Sequence, residues 1–311
     1  MTRTCMMAWA CVGLALLAAV GVAEEAASKG DKSVDALYPG LASGALTFAR
    51  PASLSTGTLL RVETVVISAA EFEKELANAP EELQPQLKKN AFFLLENLAT
   101  KKLLLHLAKK NRDTTKADSA GQTDSQIIRA YLEPIVKGTS VTDAEVREFY
   151  QGNKDMFGGA TLEQVKAELK EYLLQQKQQN AVEKHIRTLG KRMTIEVAAP
   201  WFAQQAALAK DNPVDKARAS SLPSLVDFGA SGCGPCDMMT PILAGLKKKY
   251  EGELNVVFVH VREEQILAAR YGIESIPVQI FFGKDGKEAF RHTGFFPLSE
   301  IEKKLSEIGV K

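Results

Sequence analysis

Residues 225–243 read LVDFGASGCGPCDMMTPIL. An apolar run gives way to a glycine-containing turn, and Cys233 and Cys236 stand where a stretch with helical spacing begins. The pattern predicts a strand over 224–228, a turn, and a helix over 234–250. The chain has 4 cysteines, and the other two, Cys5 and Cys11, lie in an N-terminal apolar segment. With that segment removed, one C-x-x-C pair remains and no other thiol. Such a chain has no structural disulfide framework, so the pair reads as redox chemistry.

A C-x-x-C at a helix start has a direct physical meaning. The first sulfur meets unpaired backbone N–H groups and the positive end of the helix dipole, which favour a thiolate. The second, about one turn on, is placed to displace it. Cys233 is thus the expected nucleophile and Cys236 the resolving thiol, with Gly234 and Pro235 forming the turn. Pro235 costs little there, because an N–H at that position would have no partner. Two bland readings stand beside this one. Half a zinc site needs more ligands, but with the N-terminal segment removed no second cysteine pair exists, and the 4 histidines are scattered. A bare structural disulfide would close only a short loop, which adds little stability. His106, His185, His260 and His292 read as bystanders.

The surroundings fit an α/β domain. Strand signals at 224–228, 254–259, 277–282 and 287–291 alternate with helices at 234–250, 263–271 and 298–309. Gly283-Lys284-Asp285-Gly286 marks a hairpin turn between the last two strands, so a mixed sheet is expected.

These segments together resemble thioredoxin over about 100 residues: LVDFGASGCGPCDMMTPIL, YGIESIPVQIFF and RHTGF. The resemblance implies a thiol–disulfide oxidoreductase acting on sulfur groups. It implies that Asp227 is a buried acid beneath Cys236 that exchanges a proton with it, its pKa raised by burial. It implies a cis Ile276–Pro277 peptide whose backbone pairs with substrate, a kink at Pro241, and Gly294 as the position that lets substrate approach. The chain also departs from that pattern. Gly229 and Gly232 stand where the family has tryptophans, Phe258 where it has a buried lysine, Val278 where threonine is common, and Asp237 where lysine is frequent. Without the lysine, a simpler proton network around Asp227 is expected.

The N-terminus reads as an export signal. Arg3 precedes an apolar run from Ala8 to Val20, and Gly21-Val22-Ala23 supplies small residues for cleavage near Ala23. The run is short for a bilayer span; an uncleaved anchor or a lipoprotein site at Cys11 are the alternatives. Arg3 is the one charge in residues 1–23, so its removal from 39 basic residues leaves 38 against 38 acidic. That balance gives no support for nucleic-acid binding. A soluble periplasmic protein is expected, divided as signal peptide 1–23, flexible leader 24–45, helical module 46–198, linker helix 199–212 and thioredoxin domain 213–311.

Within 46–198 the expectations are a short strand at 59–67, a helix opened by Ser68 and Glu71, and a leucine-rich helix from about Pro85 to Asn111. A polar connection at 112–124 leads to a helix over 125–137 containing Pro134. Thr142 and Glu145 make a capping box, residues 161–190 one long helix with a solvated middle at 175–180, and 193–197 a strand. ISAAEFEKEL, the leucine-rich helix, VTDAEVREFYQGNKDMF and the long closing helix resemble the N-terminal chaperone module of SurA-type proteins. Gly158-Gly159-Ala160 leaves no room for the parvulin domain that often follows in that family. Phe92, Phe93, Leu103 and Leu104 read either as core or as a surface for unfolded polypeptide.

The whole reads as an exported protein-disulfide reductase with a polypeptide-holding module and no cofactor beyond the Cys233–Cys236 disulfide. Its expected partners are disulfide-containing or unfolded polypeptides and a membrane thiol reductant. The alternatives are a disulfide oxidase or isomerase, or a non-catalytic periplasmic chaperone or assembly factor.

Overall fold

A computed structural model of the chain describes residues 32–111 and 121–311. The expected signal segment, the start of the leader and residues 112–120 of the polar connection lie outside the described residues.

The first unit is organised by a small sheet. β1 (Arg50–Ala52), β2 (Thr58–Val62), β3 (Val65–Ser68) and β4 (Ile195–Ala198) lie in the order β1-β4-β2-β3. β4 pairs parallel with β1 and antiparallel with β2, so a strand from the end of the unit fills the middle of the sheet. The run 59–67, expected as one strand, is a hairpin with Val62 opposite Val65. It turns at Glu63, which adopts the left-handed region at φ 49° without a glycine to signal it. Leu60, Val62, Val65 and Ile67 are buried while Arg61 and Val66 face outward.

Helices α1 (Val34–Leu37), α2 (Ala69–Asn78), α3 (Gln84–Lys89), α4 (Ala91–Lys110), α5 (Asp124–Lys137), α6 (Asp143–Gly152), α7 (Leu162–Arg192) and α8 (Ala199–Ala209) complete this unit. Ser68 caps α2 by accepting from the Glu71 N–H at 3.1 Å. The Glu71 carboxylate turns to Lys102 at 2.7 Å rather than closing a capping box. The helix expected from Pro85 to Asn111 breaks at Asn90, whose φ −113° and ψ 39° leave the helical region. Thr142 and Glu145 do form the capping box, with exchanged bonds of 3.3 and 2.9 Å. The middle of α7 is only partly solvated: Lys177 reaches Glu145 at 2.6 Å, and Gln178 and Gln179 are half-buried.

The apolar faces of α4 are core. Phe92 is 1% exposed, Leu103 3% and Leu104 5%, and Phe93 packs partly buried against the same cluster. The Phe92 ring lies 5.8 Å from Phe202 and 6.1 Å from Trp201 of α8. Truncating Phe92 to Ala would cost about 3–5 kcal/mol. α8, expected as a linker helix, thus belongs to the core of the first unit.

From residue 32 on, the stretch expected as a flexible leader is packed too. Val34, Leu41, Ala42 and Ala45 are buried in the same cluster. Glu96 holds the stretch by accepting from the backbone N–H groups of Ser43, Gly44 and Leu46 at 3.0, 2.8 and 3.3 Å. Burial pushes the Glu96 carboxyl up, and these three N–H groups pull it down.

The second unit has the expected mixed sheet. β5 (Ser224–Gly229), β6 (Asn255–His260), β7 (Val278–Phe282) and β8 (Glu288–Thr293) lie in the order β6-β5-β7-β8, with β5 and β6 parallel and the other pairs antiparallel. α10 (Gly234–Lys249) and α12 (Leu298–Glu307) cover one face through Met239, Leu243, Ile301 and Leu305, packed on Leu225 and Phe281. α9 (Pro213–Arg218) and α11 (Gln265–Arg270) cover the other, where Val214 and Leu267 meet Val226, Phe228 and Ile280.

The two units meet at α11. Ile266 enters the first unit's core, and Gln86 of α3 bonds the Glu263 carbonyl and the Ile266 N–H at 2.8 and 3.1 Å. Among the described residues, no helix is long and apolar enough to cross a membrane.

Candidate active site

The chain reaches the site along β5, which is buried throughout. The strand ends at Gly229, and Gly232 makes the turn at φ 75°, in the left-handed region that favours glycine. Cys233 is the N-cap of α10, and its carbonyl accepts the first helical bond from Asp237 N–H at 2.9 Å. Gly234 and Pro235 occupy the first two helical positions, where Pro235 loses no bond. Pro241 lies inside the same helix and leaves one carbonyl without its helical partner.

Cys233 and Cys236 are joined as a disulfide with Cα atoms 5.2 Å apart, inside the usual range. Cys236 is 4% exposed, whereas Cys233 is partly exposed. The solvent-facing sulfur is therefore the one at the helix mouth. Its neighbour is the cis Ile276–Pro277 peptide: Cys233 Sγ lies 4.0 Å from the Ile276 carbonyl oxygen, a van der Waals contact while the sulfur carries no proton. Gly294 is buried rather than open to a substrate, and its N–H donates to the Pro277 carbonyl at 2.8 Å. It supports the cis loop from behind.

Asp227 lies beneath the disulfide with 0% exposure. Burial pushes its carboxyl up to about 6, partly opposed by a hydrogen bond from Gln279. That bond, from Gln279 Nε2 to Asp227 Oδ1, is 2.7 Å, and Gln279 is also 0% exposed. Asp227 Oδ2 has no protein partner. A Cβ placed on Gly229 would stand 3.5 Å from Asp227 Oδ2, 3.4 Å from Cys236 Cβ and 2.9 Å from the Phe258 ring. Gly229 is thus the gap through which the carboxyl faces Cys236, and Phe258, half exposed, closes its outer side.

Beside Phe258, which offers Asp227 no hydrogen bond, Gln279 supplies one, a partner that sequence reasoning did not single out. A lone amide in the apolar strand VQIFF was the available signal. Its partner is set by strand register, with Asp227 opposite Gln279. Two histidines are also nearer the site than expected. His260 Nε2 accepts from the Ser231 N–H of the active-site turn at 3.2 Å. His292 stands opposite Gln279 and stacks on Phe296 at 4.1 Å. His106 and His185 sit far along the chain in the first unit, beside Glu63 and Tyr131. No group of three or more His, Cys, Asp or Glu able to hold a metal occurs among the described residues.

A disulfide at a helix N-terminus, one sulfur open and one buried over a carboxyl of raised pKa, is an arrangement for thiol–disulfide exchange. A family model for thioredoxin matches residues 204–307. The thioredoxin of Porphyra purpurea is 38% identical over 88 residues, which cover 28% of this chain and 81% of that protein. The thioredoxin of Chlorobaculum thiosulfatiphilum is 41% identical over 83 residues, covering 27% and 76%. The crystal structure of thioredoxin NaTrxh from Nicotiana alata is 29% identical and covers 30% of this chain and 80% of that one, with a TM-score of 0.28. The chain belongs to the thioredoxin family through this second unit, and in that general sense is a thiol–disulfide oxidoreductase.

Proposed function

We propose that this chain is an exported protein-disulfide reductase whose first unit holds the polypeptide being reduced. The observation that carries the reading is the placement of Cys233 at the mouth of α10, with Cys236 bonded to it and Asp227 beneath. In the reduced protein the helix terminus favours the Cys233 thiolate. That thiolate attacks one sulfur of a client disulfide and the other client sulfur leaves. Cys236 gives its proton to Asp227, attacks Cys233, and releases the second client sulfur as the internal disulfide re-forms. The Ile276 backbone, half-buried beside Cys233, is placed to pair with the client strand. Renewal of the dithiol in an oxidising compartment requires an outside thiol donor, for which a membrane carrier is the natural class.

The first unit's place in this scheme is modest in surface but well located. Phe92, Leu103 and Leu104 of the leucine-rich helix offer no client surface, since they are core. A shallow cleft of about 370 Å³ instead lies between the units, lined by Val136, Gln178, Gln179, Val182 and Glu183 on one side and Glu274 on the other. Glu274 is two residues from Ile276, so a polypeptide held in the cleft would approach Cys233. A SurA-like ancestry of this unit remains part of the proposal, on the sequence resemblance alone.

Equilibration of the Cys233–Cys236 pair against glutathione buffers tests the direction of flow. A potential near that of reducing thioredoxins, about −270 mV, supports the reductase; one near about −120 mV overturns it in favour of an oxidase. A Cys233→Ser chain that still suppressed client aggregation while exchanging no disulfides would assign the holding role to the rest of the molecule.

A further inference from the structure

One residue of the site has no assigned role and an unusual setting. Gln279 is an amide with no exposure, in a strand buried throughout. A buried amide without full pairing is unfavourable, yet Gln279 Oε1 has no protein partner. Its Nε2 makes one bond, 2.7 Å to Asp227 Oδ1. A carboxylate oxygen requires a donor, so the amide faces Asp227 by its nitrogen. Strand register places Phe258, Asp227, Gln279 and His292 in one row on the α10 side of the sheet. On one side of Asp227 the row offers an aromatic ring, on the other this amide.

The consequence is a division of labour between the two carboxyl oxygens. Oδ1 is engaged by Gln279. Oδ2 is left unpaired, facing the gap at Gly229 that separates it from Cys236. The geometry points to Gln279 as a positioning residue that pins Asp227 by Oδ1 and so presents Oδ2 as the oxygen that exchanges a proton with Cys236. The inference rests on the proposed role of Asp227 as proton acceptor and adds the means by which one oxygen is selected.

In the resolving step the Cys236 proton passes to Oδ2 and the Cys236 sulfur attacks Cys233. The Cys233–client bond breaks and the internal disulfide forms. The client sulfur leaves as a thiolate and takes a proton from solvent; the dithiol loses two electrons and the client disulfide gains them. Gln279 acts on this step twice. It fixes the carboxyl's rotation, and its N–H favours the ionised form against burial. The groups facing Asp227 are Gln279 from β7, Cys236 from α10 and Phe258 from β6, with His292 of β8 one position beyond. Of these, Cys236 and His292 are the titratable ones.

The test uses the full chain, reduced, reacting in a single turnover with a disulfide-bonded peptide across the acid range. The Asp227 carboxyl is followed separately by its carbon NMR shift. For Gln279→Leu the expected result is an Asp227 midpoint displaced upward from that of the parent chain. The rate near pH 6, relative to its plateau, should fall about threefold or more. An unmoved midpoint and an unmoved acid limb overturn the inference. Gln279→Met serves the same purpose if the leucine variant does not fold. Gln279→Glu should raise the midpoint further, since two carboxyls would then share the site. Asp227→Asn separates the two ideas. If the acid limb survives in Asp227→Asn, the proton-acceptor reading itself fails. If Asp227→Asn abolishes the limb while Gln279→Leu leaves it in place, only the role of Gln279 fails.

Discussion

Arg270 and Asp215 form an ion pair of 2.8 Å in which the two side chains are 3% and 2% exposed. The same guanidinium donates to the Gly40 carbonyl of the first unit at 2.9 and 3.2 Å and faces Asn90 Oδ1 at 3.5 Å. Asp215 is further held by Arg218 at 3.3 Å and by the Tyr271 hydroxyl at 3.2 Å. One buried cation therefore joins the thioredoxin unit to the segment ahead of β1. Desolvation works against charging Arg270, and the neighbouring Asp215 carboxylate outweighs it, so its pKa is raised.

Removing one member of such a pair is expected to cost far more than the pair itself contributes. Arg270→Ala should destabilise the chain by about 3–5 kcal/mol, because buried Asp215 would lose its closest charged partner. Arg270→Ala combined with Asp215→Ala should recover part of that loss. Urea unfolding of the three chains measures it, and a single variant within about 0.5 kcal/mol of the parent would contradict the account.

Asp227 predicts a pH dependence of stability with a definite sign. Its carboxyl is raised from 3.8 to about 6 in the folded protein. Below 3.8 both folded and unfolded states hold the proton, and its stabilising contribution is fully present. As pH rises through the folded value near 6, that contribution is lost. Asp227→Asn should therefore stabilise the oxidised chain by on the order of 2 kcal/mol at neutral pH, and little near pH 3.5. Denaturant unfolding at the two pH values checks it, and equal effects at both would refute the assignment.

Two glycines should respond differently to the same methyl group. At Gly190 a Cβ would meet the backbone of Ala45 at 2.5 Å, and main chain cannot step aside cheaply. At Gly229 it would meet the Phe258 ring at 2.9 Å, the far end of a half-exposed side chain. Gly190→Ala is expected to cost about 1–3 kcal/mol, Gly229→Ala less than about 1 kcal/mol. Thermal unfolding ranks the two, and the reverse order would show that the packing around Gly229 is the stiffer.

The active-site strand, turn and helix were legible because their signals are local: Asp227, the glycine turn, Cys233 and Cys236 span ten residues of chain. The mixed sheet followed from the same kind of signal at Gly283–Gly286. What escaped notice depends on partners remote in sequence. Gln279 meets Asp227 across 52 positions, and Glu96 orders Ser43 across 53. No composition rule marks residues 32–45 as packed, since the small side chains that suggest a flexible leader also suit close approach to α7. The hairpin at Glu63 was hidden for another reason: its turn uses a residue with no turn preference.

The position of β4 dictates how this protein can be divided. Because that strand enters the sheet between β1 and β2, a fragment stopping at Arg192 would leave two partners with open edges and a hole between them. A separately expressed first half therefore has to run from about residue 32 through Ala209, so that it carries both the central strand and the Phe202 helix that seals it.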